Sequence, residues 1–268
     1  MFSEWRILPC GASTGAYNMA VDEVLLNGVI AGTSPPTLRF YSWQRDCFSF
    51  GFLQRVDEQI RKKCESQGVD MVRRPTGGYA VLHGRDLCYS VAAPLEAPLD
   101  FSPDHAGRLL GDALATGLCY LGAPVALALF EERDQLTTEE ISCAAAASLN
   151  EITLGGKKIA GSASLRRKGC YLQHGSIFLE FYGERIAELL SGHDGCASSD
   201  HRSAGLRQVW DGEFSLTELI RALRNGFREQ LDVRLVPANL DIAEEEAVQI
   251  LINEKYTTLD YRKRRGRI

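Results

Sequence analysis

Apolar positions recur at helical intervals over residues 16–30, AYNMAVDEVLLNGVI. Met19, Val24, Leu25 and Ile30 are separated there by polar residues, which predicts an amphipathic helix. The next segments, TLRFYSW (37–43) and CFSFGF (47–52), are short and aromatic-rich and read as strands. VDEQIRKKCESQG (56–68) reads as a helix stopped by Gly68. VDMVRRP, YAVLHG and DLCYSVAAP read as strands separated by glycine turns, and residues 103–121 as a helix. NEITLGGKKIAGSAS is a hairpin with Gly155–Gly156 at its turn, and CYLQHGSIFLEF a further strand. Helices follow near 183–191, 215–231 and 242–253.

Adjacent strands joined by short turns, without regular strand–helix alternation, predict an α+β fold. Its centre is expected to be a mixed or mostly antiparallel sheet packed with helices. Residues 1–268 are read as one catalytic-domain unit, with a small C-terminal helical subdomain from about residue 205.

Composition narrows the function classes. Apolar residues make up 45% and charged residues 24%, enough for a sizeable core. A net charge of −5 argues against a general nucleic-acid binder, which needs a broad basic face. MFSEWRILPCGAS has no basic stretch followed by an apolar run, and no run approaches the roughly 20 apolar residues that span a bilayer. The expectation is a cytoplasmic protein without a membrane partner. Eight cysteines, at 10, 47, 64, 88, 119, 143, 170 and 196, form no C-x-x-C pair and lie at no zinc-ligand spacing to a histidine. No metal site is expected, and each thiol reads by default as a small buried hydrophobe.

Two stretches carry candidate chemistry. In RRPTGGYAVLHGRDLCYS (73–90), Gly77 and Gly78 let the backbone approach a ligand closely, and bare N–H groups in such a turn bind a carbonyl or phosphate oxygen. Arg73 and Arg74 would supply positive charge. Composition alone fits a hairpin turn with two surface arginines equally well, and a lone His83 is more often structural. In GGKKIAGSASLRRKGCYLQHGS (155–176), Lys158 starts a strand, and Gly161, Ser162 and Ala163 leave room beside it. A lysine aimed into an apolar cleft is a fixed donor, although most lysines after a Gly-Gly turn face solvent. The chain ends YRKRRGRI, with five basic residues over 262–267, either a solvated tail or a dock for an acidic partner.

YNMAVDEVLL, PPTLRFYSW, VRRPTGGYAVLHGRDLCYSV and GGKKIAGSASLRRKGCYLQHGSIFL resemble, in this order, signature segments of the lipoate–protein ligase, biotin ligase and octanoyltransferase superfamily. The resemblance spans residues 5–180, approximately. It implies the α+β catalytic-domain fold of that superfamily. It also implies substrate-binding roles for Arg73, Arg74, Gly77, Gly78, His83, Gly161, Ser162, Ala163 and His174.

Lipoate ligases activate free lipoate with ATP. Octanoyltransferases use no cofactor: they take octanoyl from octanoyl-acyl carrier protein through an acyl-cysteine thioester. They pass it to a lysine of a lipoyl domain or of the glycine-cleavage H protein. In the branch that looks like lipoate ligase, the cysteine precedes the lysine by fifteen residues. CAAAASLNEITLGGKK is similar, with Cys143, Ser148, Glu151 and Lys158 in register. Ala144, Ala147 and Asn150 depart from that branch's Phe, Pro and Tyr, and Tyr79 and Gly84 from its glycine-turn motif. The other branch places its cysteine after the lysine, where Cys196 stands without the usual preceding proline. The resemblance therefore implies an octanoyltransferase with Cys143 as nucleophile and Lys158 beside it. The alternatives are an ATP-dependent lipoate ligase, an octanoyl-H protein:lipoyl-domain amidotransferase and a non-catalytic carrier-binding homologue. Arg73/Arg74, Arg166–Lys168 and the basic terminus are candidate docking charges for acidic carriers.

Overall fold

The computed structural model describes residues 3–54, 56, 58–96, 98–99, 103–128, 151–190 and 202–258. The chain opens with β1 (Ser3–Ser13) and α1 (Gly15–Ala31), which Thr14 caps at its N-terminus and Gly32, in the left-handed region, ends. There follow β2 (Thr37–Trp43), β3 (Cys47–Phe50), α2 (Glu58–Ser66), β4 (Asp70–Arg73), β5 (Val81–His83), β6 (Asp86–Pro94) and α3 (Pro103–Leu121). Next come β7 (Ala126–Ala128), β8 (Glu151–Leu154), β9 (Lys157–Arg167), β10 (Cys170–Phe178), α4 (Gly183–Leu190) and α5 (Leu206–Val209). The last elements are α6 (Leu216–Leu231), β11 (Val233–Pro237), α7 (Ile242–Leu251) and a π-helical turn, Ile252–Tyr256.

Among the described residues the main sheet has the order β11-β1-β2-β6-β10-β9-β8-β7, and a small sheet the order β4-β3-β5. The run from β2 to β7 is antiparallel. The β11-β1-β2 edge is parallel, so the sheet is mixed. The expected α+β class is the one observed. The parallel edge pairs Ser3 with Val233, a partner that local spacing cannot supply.

One face of the main sheet packs its Leu87, Tyr89, Val91 and Ile177 against α3 and α6. The other lies under α1, where Met19, Val21 and Leu25 join Tyr41, Trp43 and Leu172. A third cluster ties the small sheet to α2 and α4. Burying a side chain of this size contributes about 2 kcal/mol. α7 is fastened to the start of the chain by a bidentate pair, Arg6 to Glu244, at 2.7 Å for both bonds. The π-helical turn is fastened to α1 through Lys255 and Tyr256, both bonded to Glu23. No helix among the described residues is long and apolar enough to cross a membrane.

Candidate active site

Alternation along three neighbouring strands sorts the polar residues. On β6, Asp86, Cys88 and Ser90 share one face, while Leu87, Tyr89 and Val91 share the other. Register carries the first set across to Ser176 and His174 on β10, and then to Gly161 and Ala163 on β9. On β2, Tyr41 and Arg39 stand opposite Cys88 and Ser90. The face covered by α1 therefore carries an acidic, basic and hydroxylic row in an otherwise apolar sheet. Buried polar groups are tolerated only when partnered, and these are.

Two carboxylate–imidazole–hydroxyl chains run through that row. In the first, Asp86 Oδ2 lies 2.6 Å from His83 Nδ1, and His83 Nε2 lies 2.7 Å from Ser49 Oγ. Asp86 fixes the tautomer: Nδ1 donates to the carboxylate, so Nε2 accepts from the serine. Arg74 Nη1 donates to Ser49 Oγ at 2.8 Å. Ser176 also donates to Asp86, and the Cys88 thiol donates to it at 3.2 Å. Burial and the Asp86 charge push the Cys88 thiol well above its ordinary value, so it stays protonated. Burial alone would raise the Asp86 carboxyl, yet His83 and Ser176 hold it below the usual range. Trp43 stacks on His83 with centroids 4.1 Å apart. His83, Asp86 and Cys88 bring three ligand-type atoms close together, but each is engaged with another in this network.

In the second chain, Asp22 Oδ2 lies 2.9 Å from His174 Nδ1, and His174 Nε2 lies 2.6 Å from Thr76 Oγ1. Asp22 also pairs with Arg39 at 2.9 Å and accepts from Ser90 at 2.7 Å. Despite burial, these partners hold the Asp22 carboxyl below the usual range. Ser49 and Thr76 are each 0% exposed. Neither hydroxyl can meet a substrate, so both chains position rather than attack.

What they position is the glycine turn. Thr76 precedes Gly77 and Gly78, which are exposed, and Gly78 takes φ 87°, a backbone state only glycine adopts freely. Arg74 Nη2 donates to the Gly77 and Tyr79 carbonyls at 3.0 and 2.8 Å. A Cβ on Gly51 would sit 1.8 Å from the Gly78 oxygen, so the turn rests directly on the loop after β3. Arg73 donates to the Gly51, Phe52 and Gln54 carbonyls and holds that loop. The expected docking charge is corrected here: Arg73 is 1% and Arg74 6% exposed, Arg73 donating to backbone carbonyls and Arg74 to backbone carbonyls and the Ser49 hydroxyl.

Lys158 approaches from the other side. β8 and β9 form the predicted hairpin, with Gly155 and Gly156 at φ 58° and 76°, values that suit a tight two-residue turn. The Lys158 ammonium bonds the Glu151 carboxylate, and both side chains are 12% exposed. A Cβ on Gly161 would lie 2.9 Å from Lys158 Cε, so the lysine lies across Gly161. Ala163 faces Gly78: a Cβ built there would be 4.0 Å from the alanine methyl. The structure thus gathers Lys158, Gly161, Ala163, Gly78, His174 and His83 on one side of the sheet. Ser162 alternates to the opposite face, where it bonds Tyr89.

Cys143, Ser148, Cys196 and the basic terminus over 262–267 lie outside the described residues. Of the described thiols, burial raises those of Cys10, Cys64, Cys88 and Cys170. Sequence reading passed over Asp22, Ser49, Thr76, Asp86, Ser90 and Ser176. Their signal was available in part: Asp86/Cys88/Ser90 and His174/Ser176 recur at period two in strands otherwise apolar enough to be buried.

The lipoyl protein ligase A/B catalytic domain matches residues 14–228. The octanoyltransferase LipM of Halalkalibacterium halodurans is 34% identical over 97% of this chain and 99% of its own. The octanoyltransferase LipM of Moorella thermoacetica is 36% identical over 97% of this chain and 98% of its own. Among solved structures, the bipartite lipoate protein ligase of Thermoplasma acidophilum superposes with a TM-score of 0.77. It is 24% identical and covers 97% of this chain and 96% of its own, a likeness of fold.

Proposed function

This chain belongs to the lipoyl protein ligase A/B catalytic domain family and is an octanoyltransferase, and from that premise we propose the route its acyl group takes. Octanoyl leaves octanoyl-acyl carrier protein for the Cys143 thiol and passes from there to a lysine of a lipoyl domain or glycine-cleavage H protein. Thioester exchange is nearly isoenergetic and needs no ATP, and splitting the transfer in two replaces one hard step with two easier ones. The observation that carries this reading is the Lys158 ammonium, held across Gly161 at the end of the hairpin that follows Cys143.

A free thiol is only a few per cent thiolate at neutral pH, and a nearby cation increases that fraction. Lys158 supplies the cation and then hydrogen-bonds the thioester oxygen as negative charge gathers there. Backbone N–H groups of the Gly77–Gly78 turn are the second set of donors. A preorganised donor of this kind is typically worth about 3 kcal/mol in the transition state. Burial raises the thiols of Cys10, Cys64, Cys88 and Cys170, which makes those four poorer nucleophiles. The reaction is expected in the cytoplasm, where the carrier proteins would be met.

Incubation with octanoyl-acyl carrier protein, without acceptor, should add one octanoyl group to the intact chain, mapped by peptide mass to Cys143. Cys143→Ala should neither gain the adduct nor transfer. An adduct that persists in that variant would overturn the assignment. Lipoate-dependent pyrophosphate release from ATP, independent of Cys143, would replace the reading with a ligase.

A further inference from the structure

Buried polar atoms in a well-packed fold have partners, and each exception calls for a reason. Among the described residues two buried side-chain atoms lack one, Gln67 Oε1 and Ser203 Oγ. Gln67 lies just past α2, where its amide nitrogen bonds Glu188 on α4. Ser203 stands beside the residue on which the proposed transfer depends.

Where β10 has ended, Ser203 is the neighbour of Lys158, and the two residues pair in parallel. Paired residues on adjacent strands lie about 4.8 Å apart and send their side chains to the same face of the sheet. Thr153 pairs with Lys158 on the other flank, which makes a row of hydroxyl, ammonium and hydroxyl. The other donors close by are committed. The Lys158 and Ala204 N–H groups bond the Arg202 and Lys158 carbonyls, the Gly205 N–H bonds Gln208, and the Thr153 hydroxyl bonds the Ala126 carbonyl. The Lys158 ammonium carries three N–H donors, and Glu151 on β8 accepts from it. The lysine thus leans toward β8, across Gly161, and away from Ser203.

From this row, and resting on the role given to Lys158 above, we infer that the Ser203 hydroxyl is a second acceptor for its ammonium and a positioning residue for transfer. Ser203 is 7% exposed and its Oγ is buried, so the hydroxyl acts on the side chain beside it rather than on substrate. In the resting protein the carboxylate holds the ammonium, because a charge-assisted bond between two ions is the stronger. When Lys158 turns from Glu151 to the thioester oxygen, one of its N–H groups goes to Ser203 Oγ and the unfilled acceptor is filled. A bond present at rest and in transfer alike would not change the rate. One made only as the ammonium takes up its working position favours that position. The serine therefore weakens the resting fold and speeds the reaction.

Ser203→Ala tests this, because the two effects have opposite signs. The variant should melt at or above the parent temperature. Its kcat for transfer from octanoyl-acyl carrier protein to a lipoyl domain should fall about 10-fold, the loss expected for one hydrogen bond to a charged group, with KM for the carrier within about twofold. Ser203→Thr keeps the hydroxyl and should hold kcat within about threefold of the parent. A lower melting temperature for Ser203→Ala would show the hydroxyl bonded at rest, and an unchanged kcat would show that the ammonium does not use it; either overturns the inference. So does a loss confined to KM, the sign of a substrate contact, or a threonine variant that melts like the parent yet transfers as slowly as the alanine one. Lys158→Met separates this inference from the reading beneath it. Normal transfer in Lys158→Met would remove that reading, whereas its loss there beside a normal Ser203→Ala would remove the inference alone.

Discussion

The imidazole of His174, on β10, meets the hydroxyl of Thr76 at 2.6 Å, across 98 residues of chain. With Asp22 on its far nitrogen, that ring ties α1, the central sheet and the glycine turn into one hydrogen-bonded line.

Burial holds the His174 pKa below the ordinary 6.5, the opposing pull of Asp22 notwithstanding. As the pH falls past that value the unfolded chain takes up a proton that the folded chain refuses. The stability this group contributes is therefore complete above pH 6.5 and is lost as the pH falls toward the depressed folded value. Asp22, also depressed, adds a loss of the same sign below 3.8. Between about pH 7 and pH 5 the unfolding free energy from urea titrations should fall with a slope of up to ~1.4 kcal/mol per pH unit, and His174→Asn should flatten it.

Gly161→Ala places a methyl 2.9 Å from Lys158 Cε and 3.3 Å from Nζ, against the movable end of a side chain rather than backbone. The protein should fold with an unchanged melting temperature, while octanoyl transfer drops about 10- to 100-fold, the outcome the proposed route requires when the ammonium is displaced.

The glycine turn should discriminate between neighbours. Gly51→Ala drives a methyl into the Gly78 carbonyl at 1.8 Å, so the backbone must move and transfer should fall sharply. Gly77→Ala has nothing within 4 Å and should leave thermal stability within about 0.5 kcal/mol of the parent. Differential scanning calorimetry beside a transfer assay checks both.

Arg39→Met leaves Asp22 buried without its cation. Removing one partner of a buried pair typically costs about 3–5 kcal/mol, far more than a surface pair would, and chemical denaturation should show it. The further change Asp22→Asn should recover part of the loss.

Much of the framework was legible because its signals are local. The 15–31 and 103–121 helices follow from spacing, and the Gly155–Gly156 hairpin from its turn. β11 was not legible: its pairing with β1 joins residues some 230 apart, and its alternation is weak. At the site, Lys158 and the glycine turn were recognisable by type. The two histidine chains were not, because Asp22 sits in an amphipathic helix pattern and reaches His174 only through the fold, 152 residues away. Arg73 and Arg74 misled for a related reason: a paired arginine reads as surface charge until the carbonyls it serves have been folded around it.

At Lys158, β10 has run out, and residues 202–204 take its place: the lysine N–H donates to the Arg202 carbonyl at 2.8 Å, and Ala204 N–H donates back at 2.9 Å. With Thr153 opposite on the other flank, the backbone there is held from both sides. Under the proposed transfer, re-aiming the ammonium falls to side-chain torsions rather than to movement of the strand. Handing the acyl group from donor to acceptor by that route asks no movement of the backbone that carries Lys158.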